Sequence, residues 1–372
     1  MVSDPLTVCY VIIGLDYAGA EIQLVEVIRR MRERGWRIFV VSLITPAAFV
    51  RELGALGVEV VSLDLQKGES LSVSFLRRFL AAIRRIRPDV IHGHMVHSNL
   101  LARIAAARFR IPVAVATVHS TDEGGRARMW AYRLTEPFGT VTTSVSEAGR
   151  EIHIARRASS PGKIQVVPNG VDTERFRPDP RARERVRRAL GVPQDRFVWL
   201  TVTRFAWPKD PPTLLRALTQ VRTASELWLV GQGEDLDRTK ALAATLGLGD
   251  RARFLGLRTD VPDLLAACDG FALSSKSEAM PITLLEAASA EIPSVASDVG
   301  AVRDLVDDGK TGLVVRPSDV DAMGRALRAL EELPEPDLVA MGVAARARVV
   351  DRWGLDAVVD RWEALYRGAL GD

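Results

Sequence analysis

The chain has 372 residues, 47% of them hydrophobic and 26% charged, with a formal net charge of +3. This balance excludes long disorder, and at roughly 100–200 residues per domain the length points to two folded domains. No run of about 18 uncharged apolar residues is present, so no transmembrane helix is expected, and two distant cysteines, Cys9 and Cys268, exclude a disulfide framework or a thiolate-held metal.

The opening residues, MVSDPLTVCYVIIG, carry an Asp and a Pro but no basic residue before their apolar run, which reads as a first strand rather than a signal peptide. AEIQLVEVIRRMRERG follows as an amphipathic helix. The alternation then repeats: WRIFVVSL before PAAFVRELGALG, VEVVSLDL before SVSFLRRFLAAIRRIR, PDVIHGH before SNLLARIAAARFR, then PVAVATVHS. Val- and Ile-rich runs bounded by Gly, Pro and Asp are strands buried on both faces, and their alternation with helices predicts βαβ units and a parallel sheet. Phe75, Phe79 and Ile83 recur at i, i+4 and i+8, so their helix is expected to pack on that sheet rather than lie on a membrane.

The pattern pauses at KIQVVPNGVDTERFRPDP, where Pro168, Asn169, Gly170, Pro178 and Pro180 mark a turn and an extended connection. It restarts with RFVWLTVTR, PPTLLRALTQVR, ELWLVGQG and DLDRTKALAATLG, and runs on through RARFLGL, GFALSS, ITLLEAASA, IPSVAS and TGLVVRP. The tail LDAVVDRWEALYRGAL is one more amphipathic helix after a break at Gly354. The expected fold is α/β, with two Rossmann-like doubly wound domains, 1–178 and 179–353, facing a central cleft, and a closing helix over 354–372. Open α/β sheets bind ligands beyond the carboxyl ends of their strands, so the chemistry is expected in loops that follow strands.

Charge divides unevenly between the halves. Residues 1–178 hold 24 Lys and Arg against 17 Asp and Glu, and the remainder holds 26 against 30. A basic first domain suggests an anionic partner, either a phosphorylated substrate or a lipid surface, and nothing singles out nucleic acid.

Three loops carry candidate groups. In GLDYAGAE, Gly19 and Ala20 leave room for backbone N–H groups to approach a phosphate. RFAWPKD sets Arg204 and Lys209 between a strand and a helix, where two cations would neutralise a leaving diphosphate. SKSEAMPITLLEAASA sets Glu278 and Glu286 eight residues apart in apolar company. An ionised Glu is rarely buried without a partner, so a ligand rich in hydroxyls, such as a sugar and a ribose, accounts for Glu286 better than solvent does. Pro281 is expected at the first helical position, leaving the N–H groups of Ile282 and Thr283 for a phosphate.

SEAMPITLLEA resembles the E-x7-E motif of the retaining, GT-B-fold glycosyltransferases of family 4. AGAE, TVHS, VVPNGVD, TRFAWPKD, VGQGE, FLG and SDVGAVRDLVDDGKTGLVV fall in that family's order over nearly the whole chain. The resemblance implies a sugar-nucleotide donor, UDP-linked by preference, held mainly by the second domain. It also implies an acceptor held by the first domain and a final helix crossing back onto the first domain. By the same likeness Arg204 and Lys209 would hold the donor diphosphate, Glu286 the ribose and Glu278 the hydroxyls of the transferred sugar. His119 would sit at the reaction centre, Gly19 and Ala20 would close over the phosphates, and Gly231, Gly256 and Leu257 would complete the donor site. No metal or other cofactor is implied.

Three positions depart from the family pattern. Ala18 replaces a first-loop Gly and would cost about 1 kcal/mol if it needed positive φ. Pro281 and Ala301 stand where Gly is usual. Among the histidines, HGHMVH (His92, His94, His97) has metal-ligand spacing but no acidic or cysteine companion nearby, so these residues are read as acceptor contacts, His94 and His97 in particular, or as structural histidines. DLD (235–237) and DVD (319–321) read as helix caps rather than metal motifs. HSTDEGGRARMWAYRLTE is where the acceptor is expected to land, with Asp122 and Glu123 orienting a hydroxyl and Arg126 and Arg128 meeting an anionic group. The function expected is metal-independent, retaining transfer of a sugar to a saccharide, in particular a lipid-linked one, by a cytoplasmic protein peripheral to an anionic membrane surface. A sugar-nucleotide epimerase of the same fold and a non-catalytic nucleotide-sugar-binding partner are the alternatives.

Overall fold

A computed structural model describes residues 5–66, 72–121, 123–221 and 224–371. The chain forms two compact units, Met1–Asn169 with Leu355–Asp372, and Gly170–Gly354. The first holds a seven-stranded sheet in the order β3-β2-β1-β4-β5-β6-β7. Its strands are β1 (Thr7–Ile12), β2 (Arg37–Ser42), β3 (Glu59–Ser62), β4 (Val90–His94), β5 (Val113–Val118), β6 (Val141–Ser144) and β7 (Ile164–Val166). Every pairing is parallel. Helices α1 (Gly19–Glu33), α2 (Val50–Ala55), α3 (Val73–Ile86), α4 (Val96–Phe109), α5 (Arg126–Thr135) and α6 (Glu147–Ala155) connect them.

All of β1 is buried, as a strand covered on both faces by helices must be. Phe75, Phe79 and Ile83 are buried under α3, whose amino end Ser72 caps by accepting the N–H of Phe75 at 3.2 Å. The sequence reading passes over β6, because VTTS lacks an apolar run. Its Thr142, Thr143 and Ser144 are nonetheless buried, and hydrogen bonds make this possible: Arg103 Nη2 donates to Thr142 at 2.7 Å, and Thr143 and Thr117 share a hydroxyl bond at 2.7 Å.

The second unit has six parallel strands in the order β10-β9-β8-β11-β12-β13. These are β8 (Val198–Val202), β9 (Glu226–Val230), β10 (Ala252–Gly256), β11 (Gly270–Leu273), β12 (Ser294–Ser297) and β13 (Gly312–Val315). Around them lie α7 (Pro180–Leu190), α8 (Pro211–Leu218), α9 (Leu236–Thr245), α10 (Val261–Ala267), α11 (Ile282–Ser289), α12 (Val302–Leu305), α13 (Val320–Glu331) and α14 (Glu335–Trp353). The last helix, α15 (Leu355–Leu370), starts directly after Gly354 and belongs to the first unit. There Val358, Val359, Trp362 and Tyr366 share a core with β1 and α1. Arg34 Nη1 reaches Asp360 at 2.5 Å and Glu363 at 2.6 Å, and Trp36 donates to Glu363 at 2.5 Å.

The change of unit falls after Asn169, not after Pro178. Residues 170–178 are tied into the second unit: Arg346 donates to the carbonyls of Thr173 and Phe176 at 3.1 Å, and Val171 donates to Trp353 O at 2.9 Å. Both cysteines are free and buried. No helix among the described residues is long and apolar enough to cross a membrane.

Candidate active site

In each sheet the strand order reverses once, between β1 and β4 in the first unit and between β8 and β11 in the second. Loops on either side of such a reversal run to opposite faces and leave a crevice at the carboxyl ends of the strands. The sequence-nominated residues lie in the loops at these ends. Gly19 and Ala20 open α1 after β1, His94 ends β4 with His92 two residues before it, and His119 follows β5. Arg204 and Lys209 follow β8, Gly231 follows β9, Gly256 and Leu257 lie at the end of β10, and Glu278 follows β11.

In the second unit these loops are locked to one another. Thr203 donates to Val230 O at 2.9 Å, Phe205 to Gln232 O at 3.0 Å and Asp235 to Phe205 O at 2.8 Å, so VGQGE runs against the Arg204 loop. Glycine is required there: a Cβ on Gly231, whose φ is +131°, would lie 1.9 Å from Thr203 O, and one on Gly233 would lie 2.3 Å from Phe205 O. Gly233 was missed in the sequence, although its place in VGQGE offered the signal.

Lys209 sits in a 3₁₀ turn (Trp207–Lys209), and its Nζ lies 2.6 Å from Glu278 Oε1, which also accepts from Ser275 Oγ at 2.7 Å. The Glu278 side chain is only 10% exposed, so its charge is answered by a short ion pair instead of by water. Gly300, at φ +54°, lets its backbone pass the Glu278 carbonyl, which an added Cβ would meet at 2.2 Å. Arg204 is exposed and pairs with Glu234 at 2.9 Å, so it is the more solvated cation of the two.

Pro281 is the cap preceding α11 rather than its first residue: its ψ of 111° is extended, and the helix begins at Ile282. The missing proline N–H therefore costs the helix nothing, and Ile282 and Thr283 supply the first helical N–H groups. Glu286 is buried on α11 among Leu284, Leu285, Ala287 and Ala288.

In the first unit Ala18 caps α1 with φ −123°, an extended conformation, so the expected strain at this position is absent. Three imidazoles form a column at the ends of β4 and β5. His92 and His94 stack with centroids 4.2 Å apart, and His94 Nδ1 is 2.8 Å from His119 Nε2. His92 Nδ1 bonds to Tyr366 Oη at 2.6 Å and its Nε2 to Thr117 Oγ1 at 2.5 Å, so both ring nitrogens are engaged and neither is open to a cation. Burial, aided by the neighbouring rings, holds His92 and His94 well below the usual imidazole range, and burial lowers His119 to about 4. All three are neutral at pH 7. Tyr366 is a residue the sequence reading missed, since nothing local marks a tyrosine on the last helix as the partner of a histidine on β4. His97 lies on α4 and is exposed, unlike the buried His92 and His94. Among the described residues no group of three or more His, Cys, Asp and Glu is arranged to hold a metal ion. Asp235 and Asp319 stand at the caps of α9 and α13, and Asp319 accepts the N–H of Ala322 at 2.9 Å.

The stretch after β5 differs from expectation at one residue. Glu123 is buried, and its carboxylate faces inward: Tyr132 donates to Oε2 at 2.6 Å and His153 Nε2 lies 3.8 Å away. Burial raises the Glu123 carboxyl to about 7 and lowers His153 to about 4, so the two do not form an ion pair near neutrality. Arg126 and Arg128 are exposed on α5, and Asp122 lies outside the described residues. A folded-state pKa raised to about 7 means that the native state binds more protons than the unfolded chain between pH 4.5 and 7, so stability falls as pH rises through that window. Glu123→Gln keeps an acceptor for Tyr132 and removes the titration. Denaturant unfolding at pH 5 and pH 8 should show the variant gaining about 2–3 kcal/mol on the wild type over that interval. A constant difference between the two would mean that Glu123 is ionised throughout.

Residues 17–175 match the family model for Glycosyltransferase Family 4, and residues 182–348 that for Glycosyl transferases group 1. The UDP-Gal:alpha-D-GlcNAc-diphosphoundecaprenol alpha-1,3-galactosyltransferase of Escherichia coli is 29% identical over 76% of each chain. The GDP-mannose-dependent alpha-(1-6)-phosphatidylinositol monomannoside mannosyltransferase of Mycolicibacterium smegmatis is 34% identical over 68% of each. In fold, the chain resembles Anabaena HepE, solved in complex with UDP-glucose, with a TM-score of 0.86 over 97% of this chain and 99% of that one, at 22% identity.

Proposed function

This chain belongs to the group 1 and family 4 glycosyltransferases, and on that footing we propose that it transfers a sugar from a nucleotide diphosphate, a UDP-sugar by preference, to a saccharide hydroxyl with retention at the anomeric carbon. The Lys209–Glu278 pair carries the reading. In it a cation and a carboxylate lie 2.6 Å apart at the switch point of the second unit, which supports a reading in which one meets a diphosphate and the other a sugar hydroxyl.

Lys209 and Arg204 neutralise the charge that builds on the departing diphosphate, joined by the N–H groups of Ile282 and Thr283. Glu278 holds hydroxyls of the transferred sugar and Glu286 the ribose, with Gly231, Gly256 and Leu257 shaping the donor site on the second unit. The bond from the anomeric carbon to the diphosphate oxygen breaks with its electron pair leaving on the phosphate. The acceptor oxygen bonds to the same face of that carbon, and its proton passes to the leaving phosphate. A neutral His119, kept so by burial, offers a hydrogen bond to the reacting groups without adding charge to an oxocarbenium-like transition state. His94, His97, Arg126 and Arg128 belong to the acceptor side, and the acceptor is a lipid-diphosphate-linked saccharide at an anionic membrane surface. Two relatives are named for lipid-borne acceptors, and the basic balance of residues 1–178 suits such a partner.

The test is a panel of UDP- and GDP-sugars scored for slow release of nucleotide diphosphate, then repeated with lipid-linked saccharides, with the product's anomeric configuration read by NMR. Inversion would refute retention, and turnover with no sugar transferred to any acceptor would refute the acceptor class. Activity should survive EDTA, because Arg204 and Lys209 do the neutralising that a divalent ion does elsewhere. Loss of activity in EDTA, restored by a divalent cation, would overturn metal independence.

A further inference from the structure

Helix α5 and the 3₁₀ turn that continues it, Glu136–Phe138, carry an apolar stripe that faces solvent. Trp130 is 65% exposed, Leu134 69% and Phe138 48%. Their spacing of i, i+4 and i+8 puts them on one face, while Met129 and Tyr132 point into the fold. Single exposed hydrophobics are ordinary, but three large ones in line on one short element are not, and such a patch is commonly an interaction site.

The charges around the stripe narrow the choice of partner. Arg126 and Arg133 share the exposed side of α5, and neither has a carboxylate within ion-pair distance among the described residues. The one acid in the segment, Glu136, is buried and takes up Ser160 through its N–H at 2.5 Å and its hydroxyl at 2.7 Å. The exposed face therefore combines a Trp, aliphatic and aromatic bulk, and positive charge with no negative charge. A tryptophan among apolar side chains, flanked by arginines, is the pattern that settles at the headgroup level of a bilayer. A protein partner would more often be met with mixed charge at its rim.

We propose that α5 is an interfacial helix: Trp130, Leu134 and Phe138 enter the headgroup–acyl boundary of an anionic bilayer while Arg133 pairs with lipid phosphate and Arg126 stays with the acceptor's anionic group. The proposal rests on the lipid-linked acceptor reading above, since α5 lies within the stretch assigned to that acceptor. Seating α5 in the lipid surface would bring a membrane-held diphosphate saccharide to the carboxyl end of β5 without a transmembrane anchor.

The experiment is co-sedimentation of the full chain with vesicles of neutral phosphatidylcholine, and with the same vesicles containing phosphatidylglycerol. The wild type should bind the anionic vesicles and bind them less as salt rises, because each basic contact near a charged surface contributes about fivefold in affinity and is screened. Trp130→Ser with Leu134→Ser should bind at least about tenfold more weakly at every salt concentration, and Arg133→Gln about fivefold more weakly at low salt only. The double variant should keep its thermal melt and its donor hydrolysis. Trp130 fluorescence, isolated by difference against Trp130→Phe, should shift to the blue on anionic vesicles. Wild type and double variant binding alike, or a stripe that loses its exposure by pairing two copies of the chain in sedimentation velocity, would overturn the proposal. Efficient transfer to a soluble acceptor by a protein that ignores vesicles would remove the interfacial helix and leave the transferase. Tight vesicle binding with no transfer to any lipid-linked saccharide would overturn the acceptor reading and, with it, the role given to the helix.

Discussion

Lys209→Ala should lower kcat/KM for sugar transfer at least about tenfold and toward a hundredfold, the range for losing one charge-assisted contact of roughly 1.5–3 kcal/mol. Two losses combine. The diphosphate loses a cation, and Glu278, whose side chain is only 10% exposed, loses the partner 2.6 Å from its carboxylate. An uncompensated buried charge recruits a proton or water, and either displaces the geometry that would meet a sugar hydroxyl. Lys209→Arg should recover only part of the rate, since a planar fork does not replace a point charge at a contact this short. Arg204→Ala should show the milder end of the range, because its guanidinium is solvent-exposed. Circular dichroism should report an intact fold for both. Donor hydrolysis and transfer at wild-type rates in Lys209→Ala would remove this residue from diphosphate binding.

The largest structural effect is expected at Gly231. Alanine there would place a Cβ 1.9 Å from Thr203 O, which is backbone and can yield only by moving the strand end that leads into Arg204. Overpacking against a fixed atom costs about 1–3 kcal/mol, and a side chain at φ +131° adds about 1–2 kcal/mol. Gly231→Ala should therefore lose roughly 2–5 kcal/mol of stability in denaturant unfolding, and donor affinity should fall with it as the Arg204 loop shifts. Gly247→Ala is the control: it also has positive φ, but no atom lies within 4 Å of its added Cβ, so it should show only the conformational cost. Equal losses at both positions would mean that the loop contact is not what fixes Gly231.

The alternating strands and helices were legible because a parallel sheet buried on both faces writes itself as Val- and Ile-rich runs, and β1 is such a run. β6 was not, because Thr142 and Thr143 are buried through hydrogen bonds whose partners, Arg103 and Thr117, lie 39 and 26 residues away. The candidate donor residues were legible as motifs at strand ends. What the motif could not convey was that Lys209 pairs with Glu278 across 69 residues. Glu123 misled for the same reason. It stands in a polar loop, but its surroundings are Tyr132 and His153, and only the fold brings His153 within reach. The departures at Ala18 and Pro281 proved mild because backbone angles, which residue type constrains only weakly outside glycine and proline, place both in extended conformations.

On the ribosome, the unit that emerges first cannot be the first to finish. Its core is completed by Val358, Val359, Trp362 and Tyr366, which pack with residues of β1 and α1. The second unit is continuous from Gly170 to Gly354 and has all its parts as soon as its own segment is made. At about 5–20 residues per second, the nascent first unit waits on the order of tens of seconds with the wall that α15 supplies missing. During that interval its sheet exposes apolar surface, and His92 lacks the tyrosine that holds it in the folded protein. Assembly is therefore not strictly vectorial, and the interval is the one in which a chaperone that shields apolar surface would have most to hold.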